Sequence, residues 1–197
     1  ITSADNEVRG LLIGNFGIGI QISGLLATGN WIAGNAIGTD GSNTYPNLTG
    51  ISLLEAPINL IGSNADASDD LGEGNLIGAN YGTGIVISGV AASGNVVAGN
   101  DIGSMYSNEQ DGIYISGPSN TIGGTAAAAR NVISANYGSG IYIEGTDATG
   151  NVIQGNFIGT DSTGTQGNGN SVDGVFIFNA PDNLIGGTAP GAGNLIS

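Results

Sequence analysis

The chain has no cysteine, no histidine and no lysine, and only two arginines, Arg9 and Arg130, in 197 residues. Each absence closes a route to function. Without cysteine there is no disulfide framework, although this alone leaves the compartment open. Without histidine or lysine, any acid–base or metal chemistry falls to carboxylates and the two guanidinium groups. Sixteen acidic residues give a net charge of -14, a surface that repels nucleic-acid phosphates and anionic membranes. No apolar run reaches the length of a membrane span, so neither nucleic acid nor membrane insertion is expected. No basic segment followed by an apolar stretch, the pattern of a secretory signal, opens the chain. The chain is 40% hydrophobic, enough for a core, and one domain over residues 1–197 is the natural count. An acidic, lysine-free, Gly/Asn/Thr-rich composition suits an extracellular or cell-surface protein.

What the chain has is a repeat. Gly19-Ile20-Gln21-Ile22 returns as Gly50-Ile51-Ser52-Leu53, Gly84-Ile85-Val86-Ile87, Gly112-Ile113-Tyr114-Ile115, Gly140-Ile141-Tyr142-Ile143 and Gly174-Val175-Phe176-Ile177. Two further elements recur between these. One begins at Asn30, Asn59, Asn95, Asn120, Asn151 and Asn183; the other at Asn35, Asn75, Asn100, Asn131, Asn156 and Asn194. Each period thus holds three short Ile/Val-rich pieces, each introduced by Gly or Asn. They are too short and glycine-broken for helices, and they read as strands joined by tight turns.

A period of this size is one supersecondary unit stacked on copies of itself. Three strands per period, in register one period later, describe an all-β parallel β-helix solenoid of about six coils. Crossover chirality makes a right-handed coil the default. Alternation along the Gly-Ile strand sends Ile20, Ile51, Ile85, Ile113, Ile141 and Val175 inward as one stack, and Ile22, Leu53, Ile87, Ile115, Ile143 and Ile177 as a second. Asn at a bend tolerates left-handed backbone, and stacked Asn amides can bond one another as a ladder. The Asn repeat therefore reads as architecture. Coils alternate between two types, and length variation falls in the turns at 38–49, 62–74, 103–111, 124–130, 160–173 and 187–193.

The runs Asn151–Asp161 and Asn183–Ser197, with the Gly-Val-Phe-Ile element between them, resemble the right-handed parallel β-helix repeat family of large bacterial secreted and surface proteins. The pectate-lyase-like superfamily shares that coil. The resemblance covers essentially the whole chain and implies a fold, not one function: the superfamily includes lyases, hydrolases, epimerases, tailspikes, adhesins and structural stalks. Its lyases use a basic residue to take a proton beside a uronate. Only Arg9 and Arg130 could serve here, and both read as surface charge without an acidic or basic companion in a repeated frame.

Glycoside hydrolysis needs two carboxylates about 5 to 9.5 Å apart. Asp111 precedes one Gly-Ile strand and Glu144 follows the next, which places them at opposite strand ends. Asp173 shares the register of Asp111 two coils away, roughly 10 Å. No catalytic residue is assigned, and the chain is expected not to be an enzyme. Asp66, Asp69, Asp70 and Glu73 cluster in the 62–74 turn. They could hold Ca²⁺ or form a solvated acidic loop; no other cofactor is implied. The turns at Asp40 and Asp161 offer one carboxylate each and read as Asx caps.

The outward position of the Gly-Ile strand runs Gln21, Ser52, Val86, Tyr114, Tyr142, Phe176, and Phe178 faces the same way. Aromatics in three successive coils either stack to stabilise the sheet or form a contact strip for a sugar chain or a protein surface. The reading is a structural or adhesive segment of a secreted or surface protein. The alternative is a carbohydrate-active β-helix that binds polysaccharide or cleaves it with Asp and Glu. An ice-binding solenoid is a third reading, though the Thr residues make no regular array. Gly10-Leu11-Leu12 aligns with Asn75-Leu76-Ile77 and Asn194-Leu195-Ile196, so the chain is expected to be an internal piece of a longer array, or a subunit that meets its own copies end to end in a fibre.

Overall fold

A computed structural model describes residues 1–197, the side chain of Leu71 excepted. The chain is a parallel β-helix of three sheets, two with seven strands and one with six. Six coils are complete, and a seventh contributes two strands. Sheet A holds Glu7–Arg9, Trp31–Ala33, Leu60–Gly62, Val96–Ala98, Thr121–Gly123, Val152–Gln154 and Leu184–Ile185. Sheet B holds Leu12–Ile13, Ala36–Ile37, Leu76–Ile77, Asp101–Ile102, Val132–Ile133, Phe157–Ile158 and Leu195–Ile196. Sheet C holds Ile18–Ser23, Thr49–Leu54, Ile85–Ser88, Ile113–Ile115, Ile141–Glu144 and Val175–Phe178. All ladders are parallel, because the chain travels the same way round on every turn.

The inward stacks form as the alternation requires. Ile113 pairs with Ile141, Ile115 with Ile143, and all four are fully buried. Sheets A and B add Ile32, Ile61, Ile122 and Ile153, and Ile37, Ile77, Ile102, Ile133 and Ile158, to the same core. Branched side chains repeated at one coil rise pack one above another along the interior. The inward Ile177, Ile185 and Ile196 stay 39%, 36% and 48% exposed, since no coil of the chain lies over them.

Asparagine lines all three corners. The amide Nδ2 of Asn30 donates to Oδ1 of Asn59, and Asn59 to Asn95. Asn35, Asn75, Asn100, Asn131 and Asn156 repeat the pattern before sheet B. A third ladder, Asn47, Asn80, Asn108, Asn136 and Asn170, precedes sheet C. In most rungs the same Oδ1 also accepts the backbone N–H of the Asn one coil earlier. Each buried amide thereby satisfies groups that a turn would otherwise leave unpaired.

The first coil departs from the expected alignment by one residue. Leu12 pairs with Ala36 and Ile13 with Ile37, so Leu11 stands in the Asn slot, not Gly10. Its backbone N–H donates to Asn35 Oδ1, and its exposed side chain needs no partner. That register puts Ile13, not Leu12, against the core.

The two coil types follow from where the excursions leave the helix. Coils 3, 5 and 7 bulge between sheets A and B; coils 2, 4 and 6 bulge between sheets B and C. Each A–B excursion reaches back over the tight corner of the coil before it. Gly34, Gly99 and Gly155 donate their N–H groups to Glu73, Ala129 and Ala192 carbonyls. These glycines have φ of 63°, 72° and 70°. A Cβ on Gly34 would come within 2.6 Å of the Gly72 carbonyl oxygen. The corner therefore requires glycine twice over, for its backbone and for its neighbour. The coil 3 excursion also forms the only α-helical turn among the described residues, Asp70–Glu73.

Candidate functional site

The outward face of sheet C carries the aromatic strip. Tyr114, Tyr142 and Phe176 are register partners in successive coils. Parallel pairing sets their Cα atoms one coil rise apart, and the rings must then tilt to fill that spacing. Tyr114 and Tyr142 meet edge to face with centroids 5.6 Å apart. Tyr142 and Phe176 lie 5.1 Å apart at 33°, and Phe176 and Phe178 6.3 Å apart at 24°. The rings do stack on one another, worth about 0.5–1.5 kcal/mol per pair. They nonetheless remain open to water: Phe176 and Phe178 are 39% and 47% exposed, and the two tyrosines are half-buried.

Glu144 is the one charged side chain among the outward residues of sheet C. Tyr114 Oη donates to its Oε2 at 3.2 Å. Partial desolvation first, and the Glu144 carboxylate second, push the hydroxyls of Tyr114 and Tyr142 above the ordinary phenol range. Both remain hydrogen-bond donors at neutral pH.

Beside the strip runs a groove of about 570 Å³. Val86, Tyr114 and Tyr142 form one wall and Leu48 the other, with Thr49, Thr83, Gln110 and Asp111 between them. It crosses coils 2 to 5, three rises or roughly 14 Å. The B–C corner beside it carries Leu48, Tyr81, Glu109 and Tyr137 in successive coils, all exposed to water. Each of these follows an Asn of the third ladder, and successive ones are joined by backbone bonds such as Tyr81 N–H to the Asn47 carbonyl. Gly84, Gly112, Gly140 and Gly174 follow this ladder by four residues. That interval is the sequence signal for both the ladder and the wall, and the two recognised Asn series hide it.

Asp111 sits half-buried on the groove floor. Its Oδ1 accepts the Ser139 N–H at 2.7 Å. Burial raises its carboxyl above the usual range, against the pull of that bond. Asp111 lies in register with Ser139, five residues before Glu144, so their backbones are about 17 Å apart. That exceeds the separation of a glycosidase pair.

The acidic residues of the coil 3 excursion point to different partners. Asp66 Oδ1 accepts the Ser68 N–H and Asp70 Oδ2 the Ala67 N–H. Glu73 is buried, accepts the Asn64 N–H and lies 3.7 Å from Arg9, which is also 3.9 Å from Asp69. Among the described residues no three acidic side chains gather closely enough to hold a metal ion. The Asp40 and Asp161 carboxylates cap their own turns, and the bonds they accept hold both below the usual range.

Neither arginine is the unpartnered surface charge that the sequence suggests. Arg9 bonds Glu7 at 2.8 Å and stacks 4.4 Å from the Trp31 ring centroid. Arg130 lies 4.1 Å from that of Phe157 and donates to the Gly155 carbonyl. Stacking across coils, which a linear reading does not see, gives them Trp31 and Phe157. Both stand at the A–B corner, away from the groove.

A second, mainly apolar groove of about 470 Å³ lies outside sheet A, floored by Trp31, Leu60 and Val96 and edged by Ile58 and Ala65. No helix among the described residues is long and apolar enough to cross a membrane. No family model, no curated protein and no solved structure matches the chain.

Proposed function

We propose that this chain is a structural or adhesive β-helix segment of an extracellular or cell-surface protein, and that the aromatic strip of sheet C, with its adjoining groove, is the contact surface. One observation carries the reading. The fold does not need aromatics on that face, because coils 1 to 3 place Gln21, Ser52 and Val86 at the same register position. Coils 4 to 6 instead present adjoining rings to water, at a cost in exposed apolar surface that a contact would recover. The composition supports the compartment: an acidic chain without lysine, held together by amide ladders and not by disulfides.

The test replaces Tyr114, Tyr142 and Phe176 together with Ser and measures retention on polysaccharide-coated and cell surfaces. Retention should fall severalfold while the melting transition stays cooperative. Unchanged retention would reduce the strip to intrachain stacking. Incubation with pectin, alginate and neutral glycans should release no products. Cleavage that disappears in Asp111→Asn would replace this reading with the carbohydrate-active one.

A further inference from the structure

The sheet C groove has a direction, a spacing and a sign of charge, and together they narrow what it can take. It runs along the solenoid axis, across the strands. Two rings of its wall, Tyr114 and Tyr142 in adjacent coils, have centroids 5.6 Å apart, and the strip continues past the groove to Phe176, 5.1 Å further on. An extended peptide presents same-side residues about 6.7 Å apart and falls out of step with such a wall within two coils. An extended pyranose polymer advances by nearly one coil rise per ring. Each sugar presents a face of C–H groups to an aromatic ring and hydroxyls at its rim. Thr83, Gln110 and the Tyr114 hydroxyl supply matching polar contacts.

The charge is one-sided. Asp111 lies on the floor and Glu144 beside the rings, and Asp173 follows in the register of Asp111 two coils on. No cation balances them, since both arginines lie at the A–B corner over Trp31 and Phe157. A polyuronate would bring a carboxylate with every sugar into this field. A protonated amine would meet carboxylates and aromatic faces together, the arrangement that binds ammonium groups.

Resting on the contact-surface reading, we infer that the groove binds an extended amine-bearing glycan laid along the solenoid axis, and that Asp111 and Glu144 select it over neutral and anionic chains. The experiment is calorimetric titration of the full chain with three probes of matched length: chitosan, chitin and polygalacturonate oligomers. Chitosan should bind about five- to tenfold more tightly than chitin, and polygalacturonate should not bind. Asp111→Asn with Glu144→Gln should bring chitosan to the level of chitin and leave chitin unchanged. Tyr114→Ser with Tyr142→Ser should abolish both, with a cooperative melt confirming the fold. Neutralising Asp66 and Asp69 instead should change nothing. Equal binding of all three probes would overturn the selectivity and leave the contact surface standing. Binding of none would overturn the inference, and the retention test on cell surfaces would then decide the contact-surface reading separately. Chitosan binding that survives the tyrosine substitutions would show a general polyelectrolyte contact and overturn the inference.

Discussion

The two faces of sheet C are made by the same strands and obey different rules. Inward, the six coils carry only Ile, Leu and Val, and the inner four coils bury them completely. Outward, the register position changes from Gln21 and Ser52 through Val86 to Tyr114, Tyr142 and Phe176. The inward position is set by its neighbours above and below, which leave room for one branched aliphatic side chain per rise. The outward position has a neighbour on each side and water beyond. It is therefore free to vary, and in coils 4 to 6 it varies toward contact.

The comparison predicts a graded response to substitution. Ile113→Asp should abolish the cooperative melt, because it buries an unpaired charge between Ile85 and Ile141. A folded variant seen by circular dichroism would contradict the register. Asn100→Ala comes next. It removes the acceptor of Asn75 and the donor to Asn131 in a closed corner, at about 3 kcal/mol in chemical denaturation.

Glu73 sharpens the rule, since Ala129 and Ala192 hold the equivalent place in the other A–B excursions, each giving its carbonyl to a corner glycine. Arg9→Ala leaves this buried carboxylate without its cation and should cost about 1–3 kcal/mol. Glu73→Ala should be near neutral and should cancel most of that loss in the double variant. Full loss in the double variant would show that Arg9 acts through Glu7, Asp69 and Trp31 and not through Glu73.

Asp101 is the exception on the outer side. It stands between Leu76 and Val132 in sheet B, and its buried Oδ1 has no partner. Burial raises its carboxyl, against bonds from Ser104. A raised carboxyl holds its proton more strongly in the folded chain. Its contribution to stability is thus greatest below the unfolded-state pKa and is lost as pH rises through the folded one. Asp101→Val should gain about 1–2 kcal/mol at neutral pH, with the gain shrinking in acid. A gain independent of pH would place the charge elsewhere. Tyr142→Ser removes two ring pairs and should cost about 1–3 kcal/mol in stability, while its effect on surface retention should be large.

Much of this was legible in the chain. The Gly-Ile repeat gives the strands and their inward stacks, and two of the Asn series give two corners. The third ladder is not legible because its residues precede leucine, tyrosine, glutamate or serine and not an Ile/Val run. The register of the first coil is hidden because Leu11 replaces the Asn that marks the slot. The aromatic strip was readable from alternation, but its groove was not. Leu48, Thr83 and Asp111 come from different coils and meet only when the B–C corner closes.

The sequence by itself determined the coil, because a period that puts a branched side chain inward and an amide at each bend has one way to satisfy both. Only the tertiary structure decided which residues share a surface. Neighbours across coils are about thirty residues apart in the chain, and the excursions, free in length, set which of them are covered and which are left open.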